Sequence, residues 1–175
     1  NDGADFSIDD TVVNFTDVAK LKSSLSSSGP SFFFMTDIEN TKTFNPRSSA
    51  DFPKEAKSLL RDYVSGGGIL VQTATFGAED VVFLNQIFDL NLVNGPNGAS
   101  KTWDKQPATS GTGFESAPNQ IRGQSATDSV DASGIRNGFW RSYYGPQSDS
   151  VIGEVAYGQG KIFFVSNDYY DAGYA

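Results

Sequence analysis

The order of apolar runs along this chain predicts an α/β fold, a doubly wound and mainly parallel sheet with a β-rich second half. Three observations predict it. Between residues 11 and 93, apolar runs of strand length alternate with stretches whose apolar residues recur at helical spacing, the alternation that a parallel sheet with right-handed crossovers requires. Two of the runs, 31–38 and 69–73, are apolar without a polar alternation, so both of their faces need cover. From 94 to about 150 the pattern gives way to Gly, Pro, Ser, Asn and Thr with scattered aromatics. A structureless loop of that length does not fit inside a compact domain, so several short strands are expected there.

The first strand is expected at 11–15, a β-branched and apolar run, followed by Thr16 as N-cap and Asp17 in the first turn of a helix. Val18, Leu21 and Leu25 share one face of that helix, and Gly29-Pro30 ends it. A buried strand over 31–38 contains Phe32, Phe33, Phe34 and Met35. After a loop through Asn45-Pro46, Pro53 suits the first turn of a second helix, whose Ala56, Leu59, Leu60, Tyr63 and Val64 form an apolar stripe. Gly66-Gly67-Gly68 stops it, and 69–73 is the next buried strand. A third helix spans 78–90 with Val81, Leu84, Ile87 and Phe88 inward. The last element is a hairpin, 151–157 and 161–166 around Gly158-Gln159-Gly160, within a terminal segment 151–170. At 175 residues the chain is expected to form a single domain.

Composition narrows the chemistry. There is no Cys and no His, which removes disulfides, thiolate and imidazole metal ligation, and every mechanism built on a thiol or imidazole. The net charge of −8 repels phosphate backbones and anionic headgroups, so nucleic acid and membrane surfaces are not expected partners. No apolar run approaches the roughly 20 residues that cross a bilayer; the longest, 32–35, is strand-sized. The Ser-, Asn-, Gly- and Asp-rich, Lys-poor composition points to a secreted or cell-surface protein. The chain opens at Asn1 rather than Met, as a processed chain or a piece of a longer one would.

The run Leu59-Leu60-Arg61-Asp62-Tyr63-Val64-Ser65-Gly66-Gly67-Gly68-Ile69-Leu70-Val71, taken with Gly153-Glu154-Val155-Ala156-Tyr157-Gly158-Gln159-Gly160-Lys161-Ile162-Phe163-Phe164-Val165-Ser166-Asn167-Asp168, resembles class I glutamine amidotransferase-like domains. In them a helix ends in a Gly pair before a buried strand, and a late Gly-x-Gly-basic strand ends in a polar residue. The resemblance covers roughly 15–170 and implies a flavodoxin-like or amidotransferase-like sheet. Active members carry a Cys on the turn after the strand and a His later in the chain. Here that turn reads Ala74-Thr75-Phe76-Gly77, which puts Thr75 at the nucleophile-like position without an imidazole to deprotonate it. The resemblance therefore implies the divergent, extracellular, catalytically inactive branch, with Thr75 vestigial, or simply a helix-start residue.

Other candidates have plain structural readings beside functional ones. Asp37, Glu39, Asp168 and Asp171 lie at expected strand ends and could form an acid–base pair for glycoside hydrolysis, or be solvated loop acids. Asp2, Asp5, Asp9 and Asp10 offer oxygen ligands without the spacing of a calcium loop. Gly158 and Gly160 lie between two strands with no helix following, a hairpin turn and not a phosphate loop. Asn14-Phe15-Thr16 is an N-glycosylation sequon. The aromatics Trp103, Phe139, Trp140, Tyr143 and Tyr144 could line a sugar platform or an interface, or belong to the core. Tyr169, Tyr170 and Tyr174, next to the end at Ala175, are candidate interface residues.

The expected function is a non-catalytic extracellular structural module that self-associates or docks with adjoining extracellular domains, as a filament or surface-layer subunit would. The alternative is a carbohydrate- or ligand-binding module of a larger secreted protein, with glycans as partners. The third is a carboxylate-dependent hydrolase. No metal or cofactor is expected.

Overall fold

The computed structural model describes residues 17–26, 32–35, 53–74, 78–124 and 127–166. Three helices are present among them: α1 (Val18–Ser26), α2 (Lys54–Ser65) and α3 (Glu79–Phe88). Pro53 precedes α2 with φ −52°, the value its ring imposes. The helix ends where the Gly66 N–H donates to Asp62 O and the Gly68 N–H to Tyr63 O. Ala56, Leu60 and Val64 are its buried face. Asn85 in α3 holds the following chain in place, accepting from Leu92 N–H and donating to Leu92 O, both at 2.8 Å.

Among the described residues the main sheet has five strands in the order β1 (Phe33–Met35), β2 (Ile69–Thr73), β9 (Gly160–Val165), β8 (Ile152–Tyr157) and β7 (Phe139–Tyr144). β1, β2 and β9 run parallel, while β9–β8 and β8–β7 are antiparallel. There are two further small antiparallel sheets among the described residues. One pairs β3 (Val93–Asn97) with β6 (Asp128–Asp131), the other β4 (Thr102–Asp104) with β5 (Gln120–Arg122).

This overturns the doubly wound, flavodoxin-like or amidotransferase-like sheet expected from the sequence. The fold is β-rich and its sheet mixed. All three helices feed one core, in which Leu21, Leu60, Val64, Leu84 and Phe88 meet Leu70, Val155, Ile162 and Phe164 of the sheet. A doubly wound sheet carries helices on both faces. Here the opposite face belongs to a second, smaller cluster of Trp103, Tyr143, Tyr144 and Val151, joined by Phe114, Ile121 and Phe163. Adjacent residues of one strand, Phe163 and Phe164, thus enter different cores. The apolar run 162–165 does mean that both faces need cover, but it carries no information on whether helix or loop provides it. After α3 the chain leaves the main sheet for β3, and the place beside β2 is taken by β9, whose hairpin partner must be antiparallel.

The hairpin turn is seated on the end of α2. The Gln159 N–H donates to Ser65 O at 2.9 Å, and a Cβ at Gly160 would collide with the carbonyl oxygens of Gly68 and Val64. Gly158 has φ +60° and lies against Ser65, so both glycines are required by this close approach.

Candidate functional site

Side chains alternate between the two faces of a strand, so the register sets what the face away from the helices presents. One row crosses all five strands as Phe34, Val71, Phe163, Glu154 and Arg141. The next row towards the hairpin turn reads Ile69, Lys161, Ala156 and Phe139. An otherwise apolar surface therefore carries three charges in adjoining positions. Glu154 Oε1 is 3.4 Å from Arg141 Nη1, and Glu154 Oε2 accepts from Lys161 Nζ at 3.1 Å. The Glu154 side chain is 13% exposed, against 49% and 45% for Arg141 and Lys161, so a mostly buried carboxylate is pinned by two half-exposed cations. Tyr143 lies two residues along β7. Its phenol is raised above the usual range, first by burial and then by the Glu154 carboxylate, against the opposing effect of Arg141.

Loop 111–114 walls this cluster on one side. Gly111 adopts φ +72°, its N–H donates to Glu115 Oε2 at 3.1 Å, and the Phe114 N–H donates to Thr112 Oγ1 at 3.2 Å. Phe114 is thereby laid on the sheet, stacked on Tyr143 with ring centroids 4.8 Å apart and on Phe163 at 5.7 Å. A shallow basin of about 520 Å³ remains, floored by Ile69, Val71 and Phe163 and rimmed by Arg141, Glu154 and Lys161. Donors, one acceptor and an apolar floor converge there, which suits binding. Glycoside hydrolysis needs two carboxyl groups facing each other, and among the described residues lining the basin Glu154 is the only one.

A second acidic grouping lies at the carboxyl end of β2, where α/β sheets commonly place their sites. Asp80, 2% exposed in the first turn of α3, has its carboxyl pushed up to about 7. Burial is the main cause, with the charges of Asp128 and Glu79 adding to it, against the hydrogen bond that Asp80 accepts from the Val81 N–H. Among the described residues no group of three or more acidic side chains could hold a metal ion.

Thr75, Asn14, Asp37, Glu39, Asp168, Asp171, Tyr169, Tyr170 and Tyr174 lie outside the described residues. Of the five aromatics named above, Trp103, Trp140, Tyr143 and Tyr144 are buried, while Phe139 is 70% exposed. Arg141, Glu154 and Lys161 were not singled out by the sequence analysis. The readable signal was a charge at the middle of an apolar strand, Glu154 between Gly153 and Val155, whose inward neighbours leave it on the other face.

No family model matches the chain, and no curated protein matches it. Among solved structures it is similar to the exo-β-1,4-mannosidase Op5Man5 from Opitutaceae bacterium strain TAV5, with 11% identity and a TM-score of 0.47. The match covers 89% of this chain and 26% of that one, so the chain spans about a quarter of that protein's length. A likeness of this depth carries no functional inference.

Proposed function

We propose that this chain is a non-catalytic docking module of an extracellular assembly, joining copies of itself or adjoining domains through the open face of its main sheet. The supporting observation is the pair of exposed phenylalanines on that face, on the first and last strands of the sheet among the described residues. Phe34 on β1 is 49% exposed and Phe139 on β7 is 70% exposed. Full burial of such a side chain from water is worth about 1.5–3 kcal/mol, of which a partner covering the face would gain the share still exposed. Five strands spaced about 4.8 Å apart, each about five residues long at roughly 3.3 Å per residue, give a whole face on the order of 300 Å², part of which the cluster around Trp103 and Phe114 already covers. A stable interface between free partners buries about 800 Å² on each. The face alone therefore supports weak docking, which becomes firm when the partner is tethered or arrayed and its effective concentration is high.

Sedimentation of the purified chain across protein concentration and salt tests this. Weak association is expected, strengthening with salt as the net charge of −8 is screened, and disappearing in Phe34→Asp and Phe139→Asp. A monomer under every condition, indifferent to both substitutions, overturns self-association.

A second function, ligand binding, is favoured by one specific observation: the Arg141–Glu154–Lys161 cluster set over an apolar floor in the basin.

A further inference from the structure

We infer that the basin takes a small organic monocarboxylate with one flat apolar face, such as a hexuronate ring; this rests on the ligand-binding reading above. Its volume of about 520 Å³ lies within the range of roughly 300–1,000 Å³ usual for small-ligand sites. The chemistry of the ligand follows from which hydrogen-bonding capacity is already used. Both oxygens of Glu154 face cations, Oε1 towards Arg141 and Oε2 towards Lys161. The acceptor is engaged, whereas a guanidinium has five N–H donors and an ammonium three, and both cations are about half exposed. Donors are in surplus, so the ligand is rich in acceptors. Two cations against one carboxylate leave a local charge of +1, complementary to a single carboxylate. A polyanion would in addition meet the field of a chain whose net charge is −8. Val71 and Phe163 beneath the cluster suit a ring with an apolar face, as the C–H face of a pyranose is. An Arg clamp on a carboxylate supplies orientation as well as affinity.

The test is a titration of the full chain, followed by amide NMR shifts, with glucuronate, benzoate and glucose as separate probes. Glucuronate is expected to move the signals of 69–71, 111–114, 141–143, 154 and 161–163, with glucose at least about tenfold weaker. Benzoate binding as tightly as glucuronate would mean that carboxylate and flat ring suffice, and weaker binding that the hydroxyls are also read; both support the inference. Arg141→Gln and Lys161→Gln should each weaken glucuronate by about tenfold, the usual scale for a lost charge-assisted hydrogen bond. Glu154→Gln should strengthen it several-fold by raising the local charge, the opposite of what a purely structural role for Glu154 gives. Equal binding of glucose and glucuronate, or glucuronate binding indifferent to Arg141→Gln and Lys161→Gln, overturns the carboxylate inference and leaves ligand binding standing. If none of the probes moves the basin signals, both fall.

Discussion

Two aspartates show how the same side chain is driven in opposite directions by its surroundings. Asp149 is partly buried, which by itself raises its pKa, yet hydrogen bonds from Lys101, Ser129 and Trp103 outweigh that and hold it below the usual carboxylate range. The Trp103 Nε1–H donates to Asp149 Oδ2 at 3.1 Å, and Lys101 Nζ lies over the indole, 5.3 Å from its ring centre. At Asp80 burial prevails, and it pushes the carboxyl up to about 7 from near 4. Between those two pH values the folded chain holds a proton that the unfolded chain has released, so raising the pH through this window favours unfolding. The ceiling of the effect is on the order of 4 kcal/mol, from about three pKa units at 1.36 kcal/mol each. Asp80→Asn should therefore leave stability nearly unchanged at pH 4 and raise it increasingly towards pH 8, by an amount on the order of 1–4 kcal/mol. Urea midpoints of both proteins across that range measure it. A difference that does not change with pH would show that Asp80 ionises in the fold as it does unfolded.

At the scale of elements, the local readings held where the physics is local. The stripe Ala56, Leu60, Val64 is the buried face of α2, since helical spacing alone determines which side chains share a face. The hairpin lies around Gly158-Gln159-Gly160, with Tyr157 paired to Gly160. What was not legible was which layer lies over which face. Phe163 and Phe164 read alike in sequence, but Phe164 packs under the helices and Phe163 under Phe114, a residue forty-nine positions earlier in a Gly- and Thr-rich loop without periodicity. The cluster on the open face was illegible for the same reason, because it depends on the antiparallel register of β7, β8 and β9. The seat of the hairpin turn on α2 is testable. Gly160→Ala puts a methyl group against two backbone carbonyls that cannot swing aside, and overpacking of this kind costs about 1–3 kcal/mol. Chemical denaturation should show that loss. An unchanged midpoint would mean that the turn and the end of α2 are not held together.

For the whole molecule, composition decides which side chains are left to do chemistry. With no Cys or His anywhere in the chain, acid–base and nucleophilic work would fall to carboxylates, hydroxyls and lysines. Among the described residues lining the basin Glu154 is the only carboxylate, and it is held by two cations. Purified protein is accordingly expected to show no glutaminase, amidase, esterase or glycosidase turnover above background. Measurable turnover that Thr75→Ala or Glu154→Gln abolishes would contradict a purely docking or binding role. No helix among the described residues is long and apolar enough to cross a membrane.

The position of β9 has a consequence for how the chain folds. It is the middle strand of the main sheet and also the last strand in sequence among the described elements. Its hairpin with β8 closes over a turn of two residues, whereas its parallel pairing with β2 joins Ile69 to Lys161, ninety-two positions apart. The entropy of closing a loop grows with its length, so the hairpin can form early and alone, while its docking beside β2 comes late and sets the pace. On a ribosome, the helical half emerges first with the flank of β2 unpaired, an edge of the kind that templates aggregation. The sheet cannot close until synthesis has passed residue 165, and the two halves of the molecule are then completed in a single event.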